Sequence, residues 1–203
     1  MEASQSIQLM QGTEEEESGE EGHEGHNHSH ELDPHVWLDP VLAQKEVIAI
    51  RDALIKKYPE KKAVFEKNTA AYLEKLTALD KEYQAAFAGA KNRTFVTQHA
   101  AFGYLAKQYD LTQEPIAGIS PDQEPSPSRL AELKKYIKTN NVSVIYFEAS
   151  ASTKVAKTLA DETGVELAVL NPLESLTQKE QEAGENYVSV MKENLAALQK
   201  SIH

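Results

Sequence analysis

From Lys91 onward the sequence alternates short apolar runs with helical patterns, and this alternation limits the fold more than any other feature. Residues 93–97, 111–119, 142–147 and 165–170 read as four strands. The run at 142–147 is the clearest, an apolar stretch suited to a parallel strand buried on both faces. Helices are expected at 100–109, 126–139, 152–164 and 181–201. Ser126-Pro127 opens the second of them and Gly164 ends the third. The last carries Tyr187, Met191, Leu195 and Leu198 on one face. The fold class is therefore α/β, with a small four-stranded parallel sheet flanked by helices. Ligands of such sheets gather at the carboxyl ends of the strands. His99, Glu148 and Glu174 each lie just past the carboxyl end of an expected strand.

The segment before the sheet is helical. Asp39-Pro40 supplies an N-cap and a first-turn proline, and the helix should run to about Tyr58. Val47, Ile50, Leu54 and Tyr58 share one stripe. Pro59 restarts the helix, and no Pro or Gly follows until after Phe87. At 1.5 Å per residue this second helix would be a rod of about 45 Å. It reads either as a coiled-coil segment or as a rigid strut between two lobes, and the strands that follow favour the strut.

The head of the chain differs in kind. Residues 1–32 hold nine Glu and no Lys or Arg, so most of the net charge of -11 belongs there and the remainder is close to neutral. Few apolar residues accompany that charge, and the segment is expected to be disordered. A near-neutral body without a basic patch argues against nucleic-acid binding. No apolar run approaches the about 18 residues of a membrane span. Met1-Glu2-Ala3-Ser4 does not open a signal peptide. The absence of cysteine excludes thiolate metal sites, disulfides and a cysteine nucleophile.

Within the head, His23, His26, His28 and His30 lie among Gly and Glu. Imidazole suits zinc, copper and nickel, so this stretch reads as a weak metal-capture loop, with a tag-like solvated tract as the plain alternative. Just after it comes Asp33-Pro34-His35-Val36-Trp37-Leu38-Asp39-Pro40. Taken singly, each candidate has an ordinary explanation. His35 could bond the backbone at a helix entry, and His99 could be a satisfied buried histidine. Glu174 could be a solvated acid, and Glu148 a helix-start acid. Taken together, His35, His99 and Glu174 offer two imidazoles and a carboxylate from three segments, three-quarters of a tetrahedral zinc shell. Manganese or magnesium would want more oxygen ligands. Glu148 then supports a ligand or substitutes for one. There is no G-x-G-x-x-G, P-loop, H-E-x-x-H or G-x-S-x-G motif.

The Asp33–Pro40 motif and the preceding histidine-rich stretch resemble the zinc-binding solute-binding proteins of bacterial ABC importers. So do Thr97-Gln98-His99-Ala100-Ala101-Phe102-Gly103-Tyr104, residues 119–127 and Asn171-Pro172-Leu173-Glu174. The resemblance is to the AdcA- and ZnuA-like metal-binding cluster A-I family, and within it to the adhesin-competence type of Gram-positive bacteria. Manganese-binding relatives carry glutamate where His99 stands, so the resemblance points to zinc.

The resemblance implies that His35, His99 and Glu174 are the metal ligands and that the protein captures Zn2+ outside the cytoplasmic membrane. It would pass the ion to an ABC permease, without catalysis and usually from a lipid anchor. It divides the chain into a head (1–32), a remnant of an amino-terminal lobe (33–58), a linker helix (59–90) and a carboxyl-terminal α/β lobe (91–203). Family members have a complete amino-terminal lobe that supplies a further histidine, together with an export signal. The chain is therefore expected to be an N-terminally truncated fragment, with a surface through which two copies can associate. The fourth ligand is then water, Glu148 or a histidine of the head. Two other functions compete: a zinc-dependent hydrolase with Glu148 as base, and a helical interaction protein with incidental histidines.

Overall fold

The computed structural model describes residues 2–12, 32–120, 125–149 and 152–203. Asp39 caps the first helix, α1 (Pro40–Lys57), its carboxylate accepting from the Val41 amide at 2.8 Å. A single 3-10 turn at Pro59–Lys61 reverses the chain into α2 (Lys62–Phe87). The two form a hairpin, closed across its width by a contact from Thr77 to Gln44. At 26 residues, α2 is about 39 Å long. Its buried positions lie mainly in the carboxyl-terminal half, at Leu76, Leu79, Tyr83 and Phe87.

There follow β1 (Thr94–Thr97), α3 (Gly103–Gln108), β2 (Thr112–Pro115), α4 (Pro127–Thr139), β3 (Val144–Phe147), α5 (Lys154–Thr163) and β4 (Glu166–Val169). The last two elements are α6 (Gln178–Glu182) and α7 (Tyr187–Leu198). The strands form one parallel sheet in the order β2-β1-β3-β4, with Val96 opposite Ile145 and Ile145 opposite Leu167. Side chains alternate across it. Phe95, Val144, Tyr146 and Ala168 pack with α2, α3 and α7 through Leu79, Tyr83, Leu105, Met191 and Leu198. Val96 and Ile145 pack on the other face against Leu133, Ile137, Ala156 and Leu159 of α4 and α5. The central strands β1 and β3 are thus buried on both faces, which explains the apolar run at 144–147, while the edge strands β2 and β4 are only partly buried. The Tyr83 hydroxyl donates to the Met191 carbonyl at 2.7 Å and fixes α2 against α7.

Three expectations are corrected. The helix expected over 181–201 is two helices. Gly184 takes a left-handed φ of 76°, and Asn186 caps α7 in a capping box with Ser189. The helix expected from Ala100 starts at Gly103, because residues 98–102 turn and the Ala100 amide bonds the Gly118 carbonyl at 2.9 Å. The head is not uniformly disordered: Ile7 is buried with Val36 and Tyr104, and Gln11 forms an antiparallel bridge with Leu32. One buried isoleucine and a few backbone bonds suffice to place residues 2–12 on the fold. Among the described residues, no helix is long and apolar enough to cross a membrane.

Candidate metal centre

The His35 side chain is positioned by its own sequence neighbourhood. Pro34 leads into a 3-10 turn at Val36–Leu38, and the Asp33 carboxylate folds back over it. Asp33 Oδ1 accepts from the His35 amide at 2.9 Å and lies 2.7 Å from His35 Nδ1. Asp33 and His35 are both buried, so the carboxylate has little water to solvate it. A carboxylate only accepts, so Asp33 keeps a proton on Nδ1, and the neutral ring then turns its Nε2 lone pair towards Glu174.

His99 is positioned by the sheet. It stands two residues past β1, where its carbonyl accepts from Thr97 Oγ1 at 2.7 Å and from Gln113 Nε2 at 3.0 Å. Glu148 stands at the matching end of the adjacent strand, β3, and its carboxylate meets His99 Nδ1. The same argument gives this imidazole a free Nε2. That atom is buried and, among the described residues, has no hydrogen-bond partner. An orphaned buried nitrogen is rare in a native fold and points to a missing electrophile.

Glu174 comes from the loop after β4. Asn171 Oδ1 accepts from the Leu173 amide at 2.8 Å, and Leu173 adopts a left-handed φ of 57°. Buried Asn194 of α7 clamps this turn, accepting from the Asn171 amide at 2.8 Å and donating to its carbonyl at 2.7 Å. Trp37 links the turn to the His35 segment: its Nε1 donates to the Pro172 carbonyl at 2.9 Å, and its own carbonyl accepts from the Tyr187 hydroxyl at 2.7 Å.

The three side chains converge. His35 Nε2 lies 3.1 Å and His99 Nε2 lies 3.4 Å from Glu174 Oε1. The two imidazoles meet edge to face at 5.4 Å, and one ligand atom from each of the three residues falls within 4.8 Å of the others. With both Nδ1 protons committed to Asp33 and Glu148, three lone-pair donors face one another. Such a cluster calls for a cation, either a proton or a metal ion. Burial pushes the His35 pKa down, but the hydrogen bond and charge of Asp33, followed by those of Glu174, outweigh it and leave the pKa raised. Two nitrogens and a carboxylate oxygen can hold a divalent ion of borderline softness such as zinc.

Of the residues singled out from sequence, His35, His99 and Glu174 are brought together. Glu148 sits behind His99, away from the convergent atoms. His23, His26, His28 and His30 lie outside the described residues. Sequence reasoning missed Asp33, although an Asp two residues before a candidate ligand is a readable signal. It also missed Asn194, for which no local signal exists.

The chain matches the family model described as "ZnuA: Zinc-uptake complex component A periplasmic" over residues 1–201. It is 55% identical over 201 residues to the zinc-binding lipoprotein AdcA of Streptococcus pneumoniae, a match covering 99% of this chain and 40% of that protein. It is 56% identical over 200 residues to the high-affinity zinc uptake system protein ZnuA of Bacillus subtilis, covering 98% of this chain and 62% of that one. The chain thus spans less than two thirds of either relative. Among solved structures, the Zn(II)-bound ZnuA-like domain of S. pneumoniae AdcA superposes with a TM-score of 0.78 at 50% identity, covering 99% of this chain and 69% of the other.

Proposed function

This chain belongs to the ZnuA family of zinc-uptake components, and from that premise we propose that it captures zinc outside the cytoplasmic membrane and delivers it to the permease of an ABC-type importer. The observation that carries this reading is the convergence of His35 Nε2, His99 Nε2 and Glu174 Oε1, with the buried His99 Nε2 lacking a hydrogen-bond partner among the described residues. Zinc is the cargo, held by these three residues. Water or a histidine of the 23–30 stretch completes the coordination. Capture favours zinc over harder ions because two of the three donors are imidazoles.

Asp33 and Glu148 hold the two rings with Nε2 available and raise the basicity of each ligand. With Glu174 they place three carboxylates around two neutral imidazoles, a charge balance that suits a dication. The chain performs no catalysis in this reading. A hydrolase would need a base beside an open metal position, and the candidate for that role, Glu148, is committed to His99 Nδ1. We further read α2 as the strut that carries one lobe past the other, and the protein as held at the cell surface of a Gram-positive bacterium by a lipid anchor.

Competition titration of the whole chain with zinc and manganese tests the proposal, with His99→Ala alongside. Tight zinc binding that is preferred over manganese and lost in the variant is the expected result. Equal affinity for both ions, or binding indifferent to His99, would overturn it.

A further inference from the structure

Asp33 orients His35, and a further group fixes Asp33. The Tyr104 hydroxyl donates to the Asp33 carbonyl at 2.8 Å and accepts from the Met10 amide at 2.7 Å. The Asp33 amide in turn donates to the Met10 carbonyl at 3.0 Å. Tyr104, Asp33 and His35 are all buried, and Ile7 packs with Tyr104 and Val36 beneath them. The residue before Tyr104 is Gly103, and a Cβ there would lie 3.2 Å from Asp33 Oδ2. The start of α3 is therefore fitted to the Asp33 side chain as well as bonded to its backbone.

We infer that Tyr104 is a positioning residue for His35, acting through Asp33, and that it makes residues 7–12 part of the frame of the metal centre. The segment from β1 into α3 then governs both histidines. It carries His99 directly and holds His35 through the Tyr104 hydroxyl, so the two imidazoles share one reference point although they are 64 residues apart in the chain. Without the hydroxyl, the Met10 amide and the Asp33 carbonyl lose their common partner. Asp33 then keeps only its amide bond to Met10 as an anchor outside its own segment and can shift, and His35 is no longer held to a single tautomer with Nε2 facing Glu174.

Tyr104→Phe removes the hydroxyl and keeps the ring. Two readouts separate a positioning role from general support of the fold. Nitrogen NMR of the imidazoles in the zinc-free protein, at a pH high enough to hold the His35 ring neutral, should show His35 losing its uniform Nδ1–H tautomer while His99, held by Glu148, keeps its own. Zinc affinity should fall about tenfold or more, as for loss of an outer partner of a ligand. A His35 tautomer unchanged in Tyr104→Phe would overturn the inference, even if the melting temperature drops.

Should that variant not fold, Gly103→Ala tests the same coupling of α3 to Asp33 at the carboxylate instead of the carbonyl. The added methyl requires the Asp33 carboxylate to give by a few tenths of an ångström and should weaken zinc binding while leaving the Tyr104 hydroxyl in place. An unaltered His35 tautomer there would equally overturn it. The affinity readout rests on the zinc-capture reading and the tautomer readout does not. Failure of the unaltered chain to bind zinc would sink that reading alone, whereas equal tautomers in variant and parent would sink only the role of Tyr104.

Discussion

Glu148 accepts from Nδ1 of His99 across the carboxyl ends of two neighbouring parallel strands, β3 and β1. The contact joins residues 49 positions apart, and its geometry is set by strand pairing rather than by any loop. It also decides which imidazole nitrogen is free, because the carboxylate holds the proton on the far side of the ring.

Glu148→Gln should therefore weaken zinc binding by roughly 10- to 100-fold without removing a ligand. The amide can present either its oxygen or its NH2 to Nδ1, so the tautomer is no longer enforced. Competition with a chromophoric chelator measures the effect, and an affinity equal to that of the parent would show that Glu148 has no hold on His99.

Most of this arrangement was legible in the sequence, for identifiable reasons. The parallel sheet announces itself because strands buried on both faces must be apolar throughout, as in residues 144–147. His99, Glu148 and Glu174 stood out because each follows the carboxyl end of an expected strand. What escaped notice depends on contacts between distant segments. Asn194 looks like an ordinary polar residue on an amphipathic helix until α7 is laid against the Asn171 turn. Residues 2–12 lie beside a strongly acidic stretch, and composition alone could not show that Ile7 packs against Val36 and Tyr104. The break at Gly184 was readable, since Gly followed two residues later by Asn is a stop and a new cap. The apolar period of α7 masked it.

Asn194→Ala tests the clamp on the Glu174 loop. It leaves the Asn171 amide and carbonyl without their side-chain partners and opens a small void in a buried position. A loss of about 1–3 kcal/mol in urea unfolding is expected, with zinc affinity lowered because Glu174 rides on the released turn. Stability loss with zinc affinity fully retained would show that the loop holds its shape without α7.

Zinc should stabilise the folded chain by mass action. At a free concentration a hundredfold above Kd the gain is about 2.7 kcal/mol, a rise of roughly 5–10 °C in Tm for a chain of this size. The rise should reverse on adding a chelator and be largely absent in Glu174→Ala. Thermal scans with and without zinc measure it, and identical curves for the parent chain would count against native-state binding at the convergent site.

The last prediction concerns pH and lies outside the metal centre. Asp39 is buried at the start of α1, and burial pushes its carboxyl from the ordinary 3.8 up to about 6. Hydrogen bonds from the Val41 and Leu42 amides pull it back only in part, and the charge of Asp80 pushes it further up. Because the folded chain holds this proton more tightly than the unfolded chain, the sign is opposite to that of a salt-bridged acid. Above about pH 6 both states are ionised and the fold carries the full cost of a buried charge. As the pH falls from about 6 towards 4, the folded state takes up the proton first and Asp39 ceases to destabilise it. Asn caps a helix about as well as Asp, so Asp39→Asn keeps the cap and removes the charge. In the zinc-free protein the variant should be the more stable at pH 7.5, by at most roughly 3 kcal/mol, and the difference should close by about pH 4. Urea unfolding of both chains across that range measures it. A variant less stable than the parent at pH 7.5, or a difference that does not change with pH, would mean that the capping bonds to Val41 and Leu42 outweigh the burial of the Asp39 carboxylate.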